Sequence, residues 1–354
     1  MPEPLESWLA SRLACPRDHS PLRRRGRDLL ECDYQHSYPI IDGVPVLLRD
    51  DIQQTIGIAE RSLAAARNAA GAPPETELDA LYIDTLGISD IEKEGVAELA
   101  RSHVGKAQRP IDPVVAYMVA AINGILYKGA LGKLDHYPIP VLRLPEGHGR
   151  TLLDIGCNWG RWSAAAARLG YRPVGIDPSL GAVLAAKRMC RELGLEAQFC
   201  VADGRYLPFA PGSFDRAFSY NVLQHLSVEN VSLVLDALHR ALKSGGHALV
   251  QMPNKFGVRC LYHQLRRGFR EPRDFEVRYW TLAELAAKFE EKLGPSAISV
   301  DCFFGLGLQA SDAPMMPPAK RALIYGSEAL RHTSSLVPLL LQSADSVYVR
   351  SINR

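Results

Sequence analysis

The sequence predicts an α/β fold from residue 149 onward: a mostly parallel sheet with helices on both faces, preceded by a small N-terminal β-ribbon module and a helical lead-in. Three observations support this prediction. An apolar strand from Leu152 to Ile155 runs directly into a glycine loop and a helix. Strands and helices then alternate with short connections as far as Pro253, the pattern of parallel strands joined by crossover helices. Acidic residues end three successive strands, at the sheet edge where such folds bind ligands.

Length and composition set limits on the protein class. The chain has 354 residues, enough for about two domains at ~150 residues each. Hydrophobic residues make up 47% and charged residues 23%, which excludes a disordered chain, a collagen-like repeat and a minimal disulfide scaffold. The 41 basic and 39 acidic residues give a net charge of +2, which argues against a general nucleic-acid binder.

The cysteines and the apolar runs indicate the compartment. Seven cysteines, an odd number, are spread along the chain, and the start MPEPLESWLA lacks the pattern of a signal peptide. No run approaches the ~18 apolar residues that a membrane span needs, because the stretch from Leu336 to Leu341 is short and contains Pro338. We therefore expect no membrane span, and a reducing cytoplasm in which thiols are free or bound to metal.

The first fifty residues have the features of a separate module. It contains two Cys-x3-His pairs, formed by Cys15, His19, Cys32 and His36. Two thiolates and two imidazoles suit tetrahedral zinc, and a module this small needs a bound metal to stabilise its fold. Beyond them, Pro39 to Leu48 is expected to form a hairpin with Asp42-Gly43 at its turn.

Residues 51–148 are predicted to form a helical linker and cap. The alanine-rich stretch up to Asp90 is interrupted at Pro73-Pro74, which indicates helix, hinge and helix. Residues 110–148 alternate apolar helical stretches with prolines, and we expect this lead-in to lie across the mouth of the following domain. The predicted domains are therefore residues 1–50, 51–148 and 149–354.

The loop after the first strand of the α/β domain separates two classes of cofactor. A dinucleotide site uses three glycines to bring a helix start to a pyrophosphate, whereas the loop DIGCNWG has two glycines, a leading Asp154 and a bulky Trp159. An acidic group here would repel phosphate but suits an ammonium and a sulfonium. At the next strand ends, Asp177 can accept both ribose hydroxyls, and Asp203 beside Gly204 can accept from an adenine amino group. The acids predict a site for adenosine with a cationic amino-acid tail.

These motifs resemble the class I S-adenosylmethionine-dependent methyltransferases, notably the ubiquinone/menaquinone-methyltransferase-like group. The matching segments are DIGCNWG, the strand ends at Asp177 and Asp203, LPFAPGSFD, SYNVLQHL and LKSGGHALVQMPN. The resemblance implies a Rossmann-like sheet and S-adenosylmethionine as the cofactor. It further implies that Asp154 and Gly156 form the loop that binds the methionine part and that Asp177 binds the ribose. It also implies that Asp203 with Gly204 contacts the adenine and that Asn221 borders the sulfonium.

The N-terminal module is similar to the zinc-ribbon-like domain that accompanies many bacterial methyltransferases, especially in its ending YPIIDGVPVLL. Such domains commonly carry Cys-x2-Cys pairs, but the second-cysteine positions here hold Asp18 and Gln35. Two readings follow: the module binds structural zinc through its cysteines and histidines, or it is a ribbon that has lost its metal and packs on apolar residues.

Methyl transfer from a sulfonium is an in-line displacement, which depends mainly on alignment and desolvation. A base is needed only where the acceptor keeps its proton until late in the reaction. His225, just past the fourth strand, is the candidate base because its ordinary pKa suits a proton acceptor. The alternative is that His225 only braces the loop over the cofactor.

The segment Phe256–Trp280 is long for a connection and mixes aromatic residues with arginines. One hypothesis is a lid in which Arg266, Arg267 and Arg270 grip an anionic or sugar-like acceptor. The alternative is an amphipathic helix whose arginines face water. After it, Thr281 and Glu284 form a predicted capping box that begins another helix.

We expect a methyltransferase that acts on an O or N atom of a small molecule, lipid or glycan precursor. An RNA base is the alternative acceptor, because a ribbon ahead of such a domain also occurs in rRNA methyltransferases. The balanced charge argues against RNA, and Ser219-Tyr220-Asn221-Val222 stands where an Asn-Pro-Pro-aromatic motif would indicate amino-group methylation of a base or glutamine. A third hypothesis is a non-catalytic scaffold whose ribbon recruits a partner.

Overall fold

The computed structural model describes residues 7–71, 74–103, 111–123, 127, 129, 131–305 and 307–354. The chain divides into two compact units, Met1–Ser213 and Phe214–Arg354, and each is described in turn. Their boundary differs from those predicted after residues 50 and 148, and the three-part division stays a prediction. The predicted hinge includes Pro73, which lies outside the described residues.

The first unit begins with a short helix and a four-stranded antiparallel sheet in the order β1-β2-β3-β4. These elements are α1 (Ser7–Ala10), β1 (Arg23–Arg25), β2 (Leu29–Glu31), β3 (Ser37–Ile41) and β4 (Val44–Pro45). The predicted hairpin is confirmed, since Ile41 pairs with Val44 across Asp42-Gly43. Both turn residues have left-handed φ angles, 46° and 73°, as a two-residue hairpin turn that follows the strand twist requires.

Three helices follow, α2 (Gly57–Gly71), α3 (Asp90–His103) and α4 (Pro113–Asn123). After them comes a parallel sheet in the order β5-β6-β7, with a helix in each crossover. Its elements are β5 (Thr151–Ile155), α5 (Arg161–Arg168), β6 (Arg172–Asp177), α6 (Leu180–Glu192) and β7 (Gln198–Val201). Ile155 pairs with Ile176, and Asp177 with Val201, so the carboxyl ends of the three strands lie at one edge.

The predicted helical linker, residues 51–148, packs on the start of α6, immediately after the carboxyl end of β6. The hydroxyl of Ser62 on α2 accepts from the amide of Leu180 at 3.0 Å, and the hydroxyl of Thr85 accepts from Gly181 at 2.8 Å. A Cβ at residue 181 would stand 2.7 Å from the Leu81 carbonyl oxygen, so only glycine allows this approach. Contacts from the helical linker therefore hold the helix that begins beside Asp177.

The antiparallel N-terminal sheet continues directly into the parallel one. Val46 forms a parallel bridge with Val201 of β7, and the Leu47 amide donates to the Val201 carbonyl at 2.7 Å. Leu13 forms a second, antiparallel bridge with Phe209. The ribbon is thus hydrogen-bonded to chain on both sides of Asp203, one of the predicted cofactor residues.

The second unit contains a mixed sheet in the order β10-β11-β9-β8, in which β8 and β9 are parallel and the other pairs antiparallel. Its strands are β8 (Phe214–Ser219), β9 (Leu242–Pro253), β10 (Ser296–Cys302) and β11 (Ser346–Ile352). Its helices are α7 (Val228–Ala241), α8 (Val258–Arg266), α9 (Leu282–Lys292) and α10 (Pro318–Thr333). The predicted capping box of Thr281 and Glu284 is confirmed at the start of α9.

The predicted α/β fold class is confirmed. Strands β5, β6 and β7 are parallel in the first unit, and β8 and β9 are parallel in the second, where the antiparallel strands β10 and β11 complete the sheet. No helix in the described part of the chain combines the length and the apolar character needed to cross a bilayer.

Candidate active site

The glycine loop at the end of β5 has a tightly fixed backbone. Gly156 adopts a left-handed φ of 73°, and its amide donates to the Ile176 carbonyl on β6 at 2.8 Å. Gly160, with φ of 82°, caps α5, and a Cβ there would lie 2.7 Å from the Cβ of Ala186 on α6. The two glycines thus allow the predicted loop, and Gly160 also allows the close approach of α5 to α6.

Asp154 lies at the base of this loop and is buried. Its Oδ2 accepts a hydrogen bond of 2.7 Å from the hydroxyl of Ser163 on α5. Burial, with a contribution from the negative charge of Asp177, raises the pKa of the Asp154 carboxyl to about 7. This carboxyl is therefore only partly ionised at neutral pH.

Asp177 ends β6 and faces the same loop. Its two oxygens accept from the amides of Asn158 at 3.1 Å and Ser179 at 2.9 Å. Burial raises the pKa of Asp177 to about 6, although both amide hydrogen bonds act in the opposite direction. The carboxylate is thus oriented by backbone donors from the glycine loop and from the start of α6.

The two carboxyl groups of Asp154 and Asp177 determine which kind of cofactor fits this site. Burial disfavours the ionised form of Asp154 and Asp177. A ligand that brings a positive charge or a hydrogen-bond donor would stabilise the ionised carboxylates. An ammonium, a sulfonium and sugar hydroxyls supply such groups, whereas a pyrophosphate would add like charge. S-adenosylmethionine therefore fits these residues and a nicotinamide dinucleotide does not.

Asp203 has a partner that the sequence analysis missed. Its carboxylate accepts from the backbone amide of Arg205 at 2.8 Å and forms an ion pair with the guanidinium of Arg205 at 2.7 Å. Arg205 in turn lies over the ring of Tyr206, and Gly204 begins the short 3-10 turn that contains them. The structure therefore places the predicted adenine carboxylate in a salt bridge, and the Asp-x-Arg spacing at a strand end was the available signal.

In the second unit, Asn221 follows β8 with a left-handed φ of 60°. Its amide donates to Oε1 of the buried Gln251 at 2.9 Å. Gln251 donates to the Ser346 hydroxyl, and both Ser346 and Tyr220 donate to Oδ2 of Asp301, at 2.7 and 2.8 Å. This buried network, which no local sequence pattern indicates, fixes the backbone at Asn221.

His225 is engaged at both ring nitrogens. Nδ1 donates to the Phe275 carbonyl at 2.7 Å, which leaves Nε2 as the acceptor, 3.2 Å from the amide nitrogen of Gln224. The imidazole stacks on the Phe275 ring at 4.0 Å between centroids. Burial and the charge of Arg278 lower the pKa of His225, so the ring is neutral at pH 7. These contacts favour the bracing interpretation, while the role of His225 as a base stays a prediction.

The arginines of the Phe256–Trp280 segment have different surroundings. Arg267 donates to the Val277 carbonyl at 2.9 Å and lies over the Tyr279 ring, and Arg270 forms a two-pronged ion pair with Glu276. Both line a cavity of about 730 Å³ whose wall also includes Trp280. Arg266 is exposed and lies 6.0 Å from the Tyr262 ring centroid.

The N-terminal module brings three of the four predicted metal ligands together. The fourth group is the carboxylate of Asp18 and not the imidazole of His19, and the cluster comprises Cys15, Asp18, Cys32 and His36. Asp18 Oδ2 lies 3.3 Å from Cys15 Sγ, 3.6 Å from Cys32 Sγ and 2.8 Å from His36 Nδ1. His36 Nδ1 lies 3.5 Å from each sulfur.

These separations fit a tetrahedral site. Zinc bonds of ~2.3 Å to sulfur and ~2.1 Å to nitrogen or oxygen place neighbouring ligand atoms about 3.3 to 3.8 Å apart. Four of the five distances lie within this range and the carboxylate–imidazole distance is shorter. The hydroxyl of Tyr38, 3.2 Å from Cys15 Sγ, can donate to a thiolate from outside the ligand set.

Comparison with known proteins gives one family match and several relatives. Residues 152–246 match the family described as "Methyltransferase domain". A ubiquinone biosynthesis O-methyltransferase of Agrobacterium fabrum is 33% identical over 108 residues, 29% of this chain and 42% of that protein. The mouse 18S rRNA (guanine-N(7))-methyltransferase is 32% identical over 130 residues, 34% of this chain and 45% of that protein.

A phosphoethanolamine N-methyltransferase 2 of Caenorhabditis elegans is 30% identical over 109 residues, 30% of this chain and 24% of that protein. The chain thus spans less than half the length of each of these three relatives. Among solved structures, the Haemonchus contortus phosphoethanolamine N-methyltransferase 2 in complex with S-adenosyl-L-methionine has a TM-score of 0.40 at 18% identity, covering 59% of this chain and 50% of that chain.

Proposed function

We propose that this protein is an S-adenosylmethionine-dependent methyltransferase that transfers a methyl group to an O or N atom of a small molecule, lipid or glycan precursor. Residues 152–246 match the methyltransferase-domain family. The observation that carries the proposal lies inside this match. Asp154 and Asp177 are buried around one glycine loop at the carboxyl ends of adjacent parallel strands. This arrangement suits a cationic ligand with sugar hydroxyls.

Individual residues would hold different parts of the cofactor, which supplies an electrophilic methyl group when it is bound. Asp154 and the Gly156 loop would take the methionine part, whose ammonium offsets the buried negative charge. Asp177, oriented by two amides, would accept both ribose hydroxyls. Asp203 with Gly204 would contact the adenine, with Arg205 holding the carboxylate in place through the ion pair. The position of Asn221 at the sulfonium stays a prediction.

The acceptor is proposed to be a small molecule or a lipid or glycan precursor, not a nucleic acid. Relatives named as a ubiquinone biosynthesis O-methyltransferase and a phosphoethanolamine N-methyltransferase support this proposal. The cavity lined by Arg267 and Arg270 offers charged donors to a polar acceptor. RNA remains the second candidate, because one relative is named for methylation of 18S rRNA. A non-catalytic scaffold is the third.

We further propose one structural zinc on Cys15, Asp18, Cys32 and His36. The separations of the ligand atoms support it, as does the burial of both cysteines. The metal would stabilise the ribbon that pairs with Val201 and Phe209, on either side of Asp203. A reducing, cytoplasmic location is proposed with it, because none of the seven cysteines, all of which lie in described residues, forms a disulfide.

Isotopic labelling identifies the acceptor directly. The protein is incubated with S-adenosylmethionine carrying a labelled methyl group and either a small-molecule extract or total RNA, and products are read by mass spectrometry. We expect labelled small molecules and unlabelled RNA. Labelled nucleosides would favour the RNA alternative, and absence of label from both pools despite cofactor binding would favour the scaffold.

A further inference from the structure

Helix α8 buries only Cys260 and the polar Gln264, and its larger apolar side chains are exposed. The side chains against the second unit are Cys260 and Gln264, of which Gln264 is only 5% exposed. Gln264 donates to the carbonyls of Lys255 and Cys260, at 2.8 and 3.2 Å. An ordinary surface helix shows the opposite arrangement, with its apolar stripe toward the core.

The exposed apolar side chains, which we call the α8 stripe, are Val258, Leu261, Tyr262 and Leu265 on the helix and Phe269 in the turn after it. The first four have the spacing i, i+3, i+4, i+7 of a single helical face. Each of the five is more than a third exposed, and Leu265 reaches 65%. Apolar surface of this extent on one helix indicates a binding partner.

The helix is held firmly in this orientation. The buried carboxylate of Asp345 accepts from the amides of Arg259 and Cys260 at the first turn, at 2.6 and 3.0 Å. A Cβ at residue 257 would stand 2.5 Å from the Cα of Asp345, so glycine permits this approach. Because the cap and the Gln264 hydrogen bonds fix the rotation of the helix, the apolar face stays outward.

Charge around the stripe identifies the chemistry of the partner. Residues 258–273 contain five arginines and one glutamate, whereas the whole chain is nearly balanced. Arg259, Arg266 and Arg273 are exposed, and Arg270 is paired with Glu276. Apolar side chains flanked by arginines are the features of helices that lie in the interface of an anionic membrane.

We propose that the α8 stripe docks on the surface of an anionic lipid bilayer, with its apolar side chains in the acyl boundary and its arginines at the headgroups. A second copy of the chain fits less well, because a symmetric contact through α8 would bring Arg259 and Arg266 against like charges. The proposal does not depend on methyl transfer, since it rests on α8 alone.

Vesicle flotation of the full chain tests this proposal. The probes are vesicles of phosphatidylcholine alone and vesicles with about a quarter phosphatidylglycerol. We expect binding to the anionic vesicles at low salt, at least about tenfold weaker binding to neutral ones, and release at high salt. Absence of binding to anionic vesicles would overturn the proposal.

Matched variants localise the contact. Leu265→Asp should weaken binding by about tenfold or more, and Arg259→Glu by about fivefold or more. Leu323→Asp, at an exposed leucine of α10, should bind as the native chain does. Unchanged thermal melting and S-adenosylhomocysteine affinity would show that all three variants are folded.

Two results would contradict the docking surface. The first is equal binding by the native chain and Leu265→Asp. The second is a concentration-dependent dimer, seen by sedimentation velocity without vesicles and lost in Leu265→Asp, in a protein that does not float. That result would assign the stripe to a second copy of the chain.

Discussion

The backbone amide of Asn158 donates a hydrogen bond of 3.1 Å to the carboxylate of Asp177. This contact joins the loop after β5 to the residue that ends β6. Asn158 has a left-handed φ of 47°, and this conformation allows its amide to point toward the neighbouring strand. The geometry of the loop proposed to hold the methionine part and the ionisation of the carboxylate proposed to hold the ribose are therefore coupled.

That coupling predicts a specific pH dependence of stability. The folded pKa values of Asp154 and Asp177, about 7 and about 6, lie above the ~3.9 of an unfolded chain. Between these values the folded protein holds protons that the unfolded chain has lost. Each carboxyl therefore makes the free energy of unfolding rise as pH falls from 7.5 to 5, by up to about 1.4 kcal/mol per unit.

Urea unfolding at pH 5, 6 and 7.5 measures this effect. Asp154→Asn should remove the part of the pH dependence of the free energy of unfolding that Asp154 contributes. This variant should also be more stable than the native chain at pH 7.5. Cofactor affinity should change in the opposite direction, weakening at pH 5.5, because the ligand favours the ionised carboxylates. If Asp154→Asn kept the full pH dependence of the native free energy of unfolding, the assigned pKa values would be contradicted.

The metal cluster yields a prediction that distinguishes two adjacent residues. Protein purified without chelator should contain about one zinc per chain. Asp18→Ala should lower the zinc content or weaken the affinity at least tenfold, because it removes an oxygen ligand, whereas His19→Ala should retain the metal. Elemental analysis and competition with a chromogenic chelator provide the measurements. Folded native protein without zinc, or loss of zinc only in His19→Ala, would refute this ligand set.

His225 offers a choice between bracing and proton transfer. Since both ring nitrogens contact protein groups, we expect His225→Gln to lower the melting temperature and to leave the shape of the pH–kcat/KM profile unchanged. The profile is measured with the acceptor identified by labelling. A general base would behave differently: its loss would cut kcat by about a hundredfold or more and remove the limb below pH 6.5, at unchanged stability.

The cavity-lining arginines should act on the acceptor alone. Arg267→Ala should raise the acceptor KM about tenfold, equivalent to ~1.4 kcal/mol for one charge-assisted contact. S-adenosylhomocysteine affinity should remain within about twofold. Arg266→Ala, at an exposed neighbour over Tyr262, provides the matched control. If Arg267→Ala weakened cofactor binding as much as acceptor binding, the Phe256–Trp280 segment would have a structural role and would not act as an acceptor lid.

Local patterns predicted the elements whose determinants are close in sequence. The DIGCNWG loop, the Asp42-Gly43 hairpin and the Thr281 capping box each depend on a few neighbouring residues, and the structure contains all three. The acids at the strand ends could likewise be predicted, because parallel strands place their carboxyl ends at one edge.

Contacts between distant segments could not be predicted in this way. Gln251, Ser346 and Asp301 meet from three strands, and nothing near any one of them indicates the others. The metal cluster shows the same limit at short range. His19 has a left-handed φ of 63° in the turn closed by its amide on Cys15, so its side chain lies outside the cluster that Asp18 joins. A four-residue spacing alone does not contain that information.

Calorimetric titration with S-adenosylhomocysteine tests most directly the central claim that the site around Asp154 and Asp177 binds this cofactor. The native chain should bind in the micromolar range, about 8 kcal/mol. Asp177→Asn should weaken binding by about a hundredfold, because it removes the charged acceptor of two ribose hydroxyls, while Asp236→Asn on the exposed face of α7 should bind normally. Binding of NAD with no response to S-adenosylhomocysteine, or equal affinity in Asp177→Asn and the native chain, would contradict the account.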